Sequence, residues 1–244
     1  EDVSLNKNIE GTKQGQIGDC WLLSGVNALS YTEKGREIID NALTYTPNGV
    51  IVSLADSTVT YSITNEELLE RKEGKVRSEG DDDMIVLEMA IERFRKDIAE
   101  GNLVYSDNFI KNESISPWID ARNTGSLKGG SCAEALSIIT GNFSQVCDTS
   151  KIDELLDSKG TLKNKNVAIT MGKHGDSSTV KDVNGEEVYL PTNHAYALKS
   201  IENNVVTITN PWNSNKEITL DKKTFVQEFD SIGVLDLSQK SNEP

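Results

Sequence analysis

Beyond residue 141 the apolar residues stop recurring at helical spacing and gather into short runs. These are "NVAITM" (166–171), "HAYALKSI" (194–201), "VVTIT" (205–209), "KEITL" (216–220) and "SIGVLDL" (231–237). Runs of roughly four to eight apolar and β-branched residues, bounded by turn residues, are strand patterns. One helical pattern, "DKKTFVQEF", interrupts them, and the Asn-Gly pair of "DVNGEE" marks a hairpin. Earlier in the chain the period is helical. Trp21, Leu22, Val26 and Leu29 predict a helix beginning near Cys20, directly after the loop "GQIGD". In "DDDMIVLEMAIERFRKDI" the residues Leu87, Ile91, Phe94 and Ile98 form one apolar stripe. Asp81, Asp82 and Asp83 open that helix, where the backbone dipole favours acids, and this explains them better than a calcium site.

The remaining segments fill in the plan. "VIVSLA" and "VTYSI" read as two strands joined by "DST", and residues 66–83 read as charged and exposed. Residues 99–130 show little periodicity and read as a long connection. "SCAEALSIITG" reads as a short helix, with Ser131 and Glu134 spaced as a capping box and Gly141 as its stop. The expected fold class is α+β, with a mainly helical part over 1–129, a β-rich part over 130–237 and a frayed tail over 238–244. A chain of 244 residues can bury a sizeable core.

Charge and composition narrow the partners. A formal net charge of -14 argues against nucleic acid, whose phosphates reward clustered Lys and Arg. No apolar run approaches the ~20 residues of a membrane span. Three cysteines without a CxxC pair argue against a disulfide scaffold or a four-cysteine metal site. Cys132 and Cys147 pair only if folding brings them together. The chain begins at Glu1 without Met or signal peptide, so it reads as a processed form or an excised piece, with flanking domains or a propeptide removed. Its acidity then fits a secreted or cell-surface protein better than a cytoplasmic one.

Chemistry concentrates at few positions. "QGQIGDCWLLSG" (14–25) sets Cys20 between an acid and a tryptophan at a loop-to-helix junction, where a helix start favours thiolate. There are only two histidines. His174 lies in the polar loop "GKHGDSS", where an exposed histidine of no special role is the default; His194 opens "HAYALKSI". "VVTITNPW" ends in Asn210, Pro211 and Trp212. If those two strands pair through the "ENN" turn, His194 and Asn210 share one end of the sheet. Asn210 then holds one ring nitrogen and leaves the other for a nucleophile. Singly, each residue also fits a plain structural role. Together they supply a nucleophile from the helical part and an oriented base from the sheet part, an arrangement suited to a cleft.

Four blocks, "QGQIGDCWLLSGVNAL", "GGSCAEALSIITG", "NHAYAL" and "TNPW", resemble in order and spacing the signature blocks of the calpain-type cysteine proteases, a branch of the papain-like fold. "VLEMAIERF" and "TFVQEFDSIGVLDL" extend the resemblance over residues 10 to 237. It implies a papain-like fold with the active-site cleft between a helical and a β-rich lobe, and a thiol endopeptidase acting on protein or peptide substrates. It also implies Cys20 as nucleophile, His194 as base, Asn210 as its orienting residue and Gln14 as oxyanion donor. Trp212 would cover the Asn210–His194 hydrogen bond, and Gly129 or Gly130 would let substrate backbone approach.

The chain departs from animal calpains in ways that bear on cofactors. No cofactor is required by the reaction. Where the family's first calcium site uses an acid, this chain has Gly11 and Thr12, and the long acidic insertion after the NPW block is missing. Both departures argue against calcium activation, so the resemblance is to a compact calpain-like protease. Asn193 stands where many members have glycine, which bears on how substrate backbone is held there. The long 99–128 segment reads as a lid or substrate-selecting loop, or as a surface insertion. Two rival functions remain: acyl transfer or isopeptide cleavage by the same residues, and a catalytically silent binding module. The intact set of Cys20, His194, Asn210 and Gln14 weighs against silence.

Overall fold

In the computed structural model of the chain the described residues are 3–54, 59–74, 78–102, 126–142 and 144–238. The "DST" turn, most of the 99–130 connection with its lid reading, and all of the tail after Ser238 lie outside them. The fold is α+β. A short strand β1 (Thr12–Lys13) precedes helices α1 (Cys20–Ser30) and α2 (Glu33–Ala42). A three-stranded antiparallel sheet follows, built from β2 (Leu43–Thr46), β3 (Gly49–Leu54) and β4 (Val59–Thr64). Then come α3 (Asn65–Glu73), β5 (Glu79–Gly80), which pairs with β1, and the long helix α4 (Asp82–Ala99).

Past the connection, α5 (Glu134–Thr140) leads into β6 (Gln145–Asp148), a 3₁₀ turn (Thr149–Leu155) and β7 (Val167–Lys173). The hairpin β8 (Ser178–Lys181) and β9 (Glu187–Leu190) precedes β10 (His194–Glu202), β11 (Val205–Asn210) and β12 (Asn213–Asp221). Helix α6 (Lys222–Glu228) and β13 (Ser231–Asp236) close the order. Six of these strands form one antiparallel sheet in the order β12-β11-β10-β7-β13-β6.

Local chemistry explains most boundaries. Asp81 caps α4, accepting the backbone N–H groups of Asp83 and Met84. Its neighbours act at longer range: Asp82 accepts from the Ser4 N–H, and Asp83 from those of Asn6 and Lys7. The acids at the start of the helix thus tie down the N-terminal segment. Residues 66–83, expected to be exposed, hold α3, started by a Thr64–Glu67 capping box and anchored by buried Leu68. The Ser131–Glu134 capping box does not form. Helix α5 starts only at Glu134 with Ala133 at its cap position, so it has no capping side chain, and the Glu134 carboxylate pairs with Arg95 at 2.9 Å. Gly141 does end that helix, in the left-handed region at φ 74°. The "DVNGEE" hairpin closes through the Asp182 carboxylate, which accepts from the N–H groups of Asn184 and Glu186.

Helix α1 is the hub. Every residue from Trp21 to Leu29 is buried, as befits a helix apolar on all sides. It packs on α2, α4 and α5 and on the face of β7 and β10, where Ala168 and Ala197 leave room for it. The apolar cluster around α1 also takes in Ala135, Leu136, Ile138 and Ile139, while a second cluster fills the sheet under α6 with Tyr196, Phe225 and Phe229. Contact between α1 and α5 is closest at Gly25, where an added Cβ would lie 2.5 Å from Ala135 Cβ. Ala gains about 1 kcal/mol over Gly in helix propensity, whereas overpacking a rigid contact costs about 1–3 kcal/mol. Gly25→Ala should therefore lower the unfolding free energy, by about 1 kcal/mol in a urea titration, and a stabilised variant would contradict this packing.

Candidate active site

Cys20 is the first residue of α1, and Asp19 before it gives the helix no side-chain cap. The N–H groups at the helix start are therefore available to the sulfur, and those of Cys20 and Trp21, together with that of Ala195 on β10, favour its thiolate. Ala195 can donate because the β10–β11 ladder starts only at Ala197. The sulfur consequently lies against the residue that follows His194 in the chain, where helix and sheet meet.

His194 opens β10 and is nearly buried, at 7% exposure. Its Nε2 lies 2.7 Å from Asn210 Oδ1. Strands β10 and β11 do pair through the tight turn at Asn203 and Asn204, both at positive φ, which brings these residues to one sheet end. A register shift between Thr209 and Asn210, next to Pro211 with its missing N–H, re-aims the amide. The Trp212 backbone N–H also donates to Asn210 Oδ1, at 3.0 Å. A backbone N–H can only donate, so the shared atom is the amide oxygen and His194 Nε2 must carry a proton to bond it. The lone pair of the neutral ring is then on Nδ1.

Burial governs the titration of both groups. It raises the Cys20 thiol above its ordinary value of 9.0; the Ala195 N–H opposes this and the nearby Asp19 carboxylate adds to it. It lowers His194 below the ordinary 6.5, against the hydrogen bond that its Nε2–H donates to Asn210. At neutral pH the resting pair is thus a thiol and a neutral imidazole. Two rings pack on His194: Tyr196 edge-on at 5.0 Å between centroids and half-exposed Trp212 at 4.9 Å.

Cys20 and His194 line one cavity of about 480 Å³, within the ~300–1,000 Å³ range of small-ligand pockets. Gly129 and Gly130 form one of its edges, and Asn193, in the left-handed region at φ 50°, stands at its rim. Gln14, Asn210 and Trp212 do not line it. Asn210 and Trp212 stand against the imidazole from outside. Gln14 spends one N–H of its amide on Ile17 O at 2.7 Å, and its backbone N–H binds Pro211 O at 2.8 Å, clamping the cysteine loop to the strand that carries Asn210.

Other wall residues escaped the sequence reading. Ser231 and Gly172 are cross-strand partners on β13 and β7, so their place here follows from pairing alone. His174 is exposed, yet it too borders the cavity, as does Cys132. All three cysteines are free. Burial pushes the Cys132 thiol up to about 11 and also raises Cys147. Among the described residues no group of three or more His, Cys, Asp or Glu is placed to hold a metal, and no helix is long and apolar enough to cross a membrane.

No protein-family model matches the chain, and no curated protein matches it.

A thiol protonated at rest gains thiolate about tenfold per pH unit below its pKa. Alkylation of Cys20 by iodoacetamide, followed by peptide mass mapping, should accelerate about tenfold per unit from about pH 7 to about pH 9, with Cys132 left unlabelled at neutral pH. A rate already level at about pH 6 would instead reveal a standing thiolate–imidazolium pair.

Proposed function

We propose that the chain is a calpain-type thiol endopeptidase of papain-like architecture, with the cleft between the α1 side and the six-stranded sheet. One observation carries this reading: a cysteine at a helix start and an imidazole held in its Nε2–H form by an asparagine line the same cavity. Substrate backbone lies along the Gly129–Gly130 edge. The scissile carbonyl carbon is attacked by Cys20 Sγ while His194 Nδ1 takes the thiol proton. The S–C bond forms, the carbonyl π pair moves to oxygen, and the oxyanion receives N–H donors at the start of α1, held in place by the loop that Gln14 clamps through Ile17 O and Pro211 O. Collapse of that intermediate breaks the C–N bond, and the imidazolium returns its proton to the leaving amine. Water, deprotonated by the same nitrogen, then hydrolyses the thioester and restores the thiol.

Burial of His194 suits this role. A base that is neutral at rest accepts the proton only as attack proceeds, and Asn210 stabilises the imidazolium then formed. Trp212 and Tyr196 shield that hydrogen bond from water, where it would be weaker. No step calls on a metal, and with Gly11 and Thr12 in place of the family's acidic ligand, cleavage should not depend on calcium.

Casein digestion tests the proposal. Cleavage should persist in excess EDTA and stop on Cys20→Ser. His194→Ala should cost about 10²–10⁴-fold in kcat/KM, the usual worth of a general base. His174→Ala should cost far less, since His174 is exposed and only its backbone N–H is seen to be held, by Asp230. Loss of activity in chelator would overturn the metal-free reading. Efficient labelling of Cys20 by an epoxysuccinyl peptide without cleavage of any protein would point to acyl transfer or isopeptide cleavage, and absence of both to a binding module.

A further inference from the structure

Helix α4 carries an arginine on the side it buries. Arg95 follows Ile91 by four residues, so it falls on the apolar stripe, and its side chain is fully buried. A charge so placed needs a full set of partners, and those of Arg95 include the segment at the cavity edge, the nucleophile helix and Glu134 on α5. Its Nη1 donates to Ser126 O at 2.7 Å and to Gly129 O at 2.8 Å. Its Nη2 pairs with the equally buried Glu134 at 2.9 Å. The guanidinium lies on the Trp21 ring, 3.8 Å from its centroid. Trp21 in turn donates its indole N–H to Leu127 O at 2.8 Å, and the Gly129 N–H binds Gly18 O at 2.8 Å.

Within the segment "SLKGG" (126–130) the Leu127 side chain is buried in the core, but the two glycines at the cavity edge have no side chain with which to hold a position. Three of its carbonyls are instead gripped from behind, by Arg95 and by the residue next to the nucleophile. Gly130 sits flush against that grip: an added Cβ would lie 2.6 Å from Trp21 Cδ2 and 2.7 Å from Arg95 Nη2. We propose that Arg95 is a positioning residue that sets the Gly129–Gly130 edge at the distance from Cys20 that an extended peptide requires, a role that rests on the protease reading above. The planar fork matters because one nitrogen serves two carbonyls while the other binds Glu134. Lysine keeps the charge but loses that geometry.

The test compares Arg95→Lys with wild type by hydrogen exchange, and by inactivation with an epoxysuccinyl peptide, which needs the edge, and iodoacetamide, which does not. The expected result is amide exchange at least about tenfold faster at 127–130 with α1 unchanged. The epoxysuccinyl peptide should react at least about tenfold more slowly while iodoacetamide alkylates Cys20 within about twofold of wild type, and peptide cleavage should lose affinity through KM with kcat largely kept. A fall of both reagents together would mean a merely structural role, and no change in either would mean none; both overturn the proposal. Gly130→Ala, which keeps both partners of the buried ion pair while its Cβ presses on Trp21 and on Arg95 Nη2, should reproduce the pattern if Arg95→Lys does not fold, and wild-type behaviour of that variant would equally overturn it. Should wild type cleave nothing, the exchange difference still reads the grip on the edge, so failure of the enzyme reading and failure of this one remain distinct.

Discussion

Two N–H groups meet on one oxygen at Asn210 Oδ1, and the chemistry available to this molecule follows from that meeting. The Trp212 amide identifies the acceptor as oxygen, which forces the proton onto His194 Nε2 and leaves the basic lone pair on Nδ1. An imidazole free to rotate would sample both tautomers. Here the choice is made by the fold, through the β10–β11 pairing that brings the residues together and the register shift that turns the amide. The thiol is placed by the fold as well, because α1 begins at Cys20, and the backbone N–H of the residue after His194 favours its thiolate.

The supports of the site are as expensive as its core. Arg95, Glu134, Asp83 and Glu88 are all essentially inaccessible to water. Removing one partner of a fully buried pair such as Arg95–Glu134 typically costs about 3–5 kcal/mol, a large share of the ~5–15 kcal/mol by which domains are stable. Two of these groups tether neighbouring stretches of backbone. Asp82 and Asp83 hold residues 4–7, and Arg95 holds the glycine-rich edge. Burial also opposes ionisation of both Cys20 and His194, so the same dry environment that strengthens the Asn210 hydrogen bond keeps the resting pair neutral.

What could be read from the chain alone was whatever depends on local period. Helices α1 and α4, the strand runs after residue 141 and the turn that pairs His194 with Asn210 are all local, and each stands where the periodicity put it. Pairing across distance was not legible: nothing near Ser231 announces that it faces Gly172, or that Ala195 reaches a sulfur on another element. The Ser131–Glu134 spacing misled because the helix begins only at Glu134, with Ala133 at the cap, and the carboxylate there goes to a distant arginine. Arg95 did leave a trace, as a charge in register with the Leu87–Ile91 stripe. Helix α3 left its Thr64–Glu67 capping box, overlooked because the residues after it are so highly charged.

The central claim is that Asn210 fixes the tautomer of His194, and nitrogen NMR of the imidazole measures it directly. With ¹⁵N-labelled histidine, His194 should show a protonated Nε2 and an unprotonated Nδ1 at neutral pH, titrating below the ordinary 6.5. Asn210→Ala should release it into a tautomer mixture. A wild-type spectrum with the proton on Nδ1, or one indifferent to the loss of Asn210, would contradict the account.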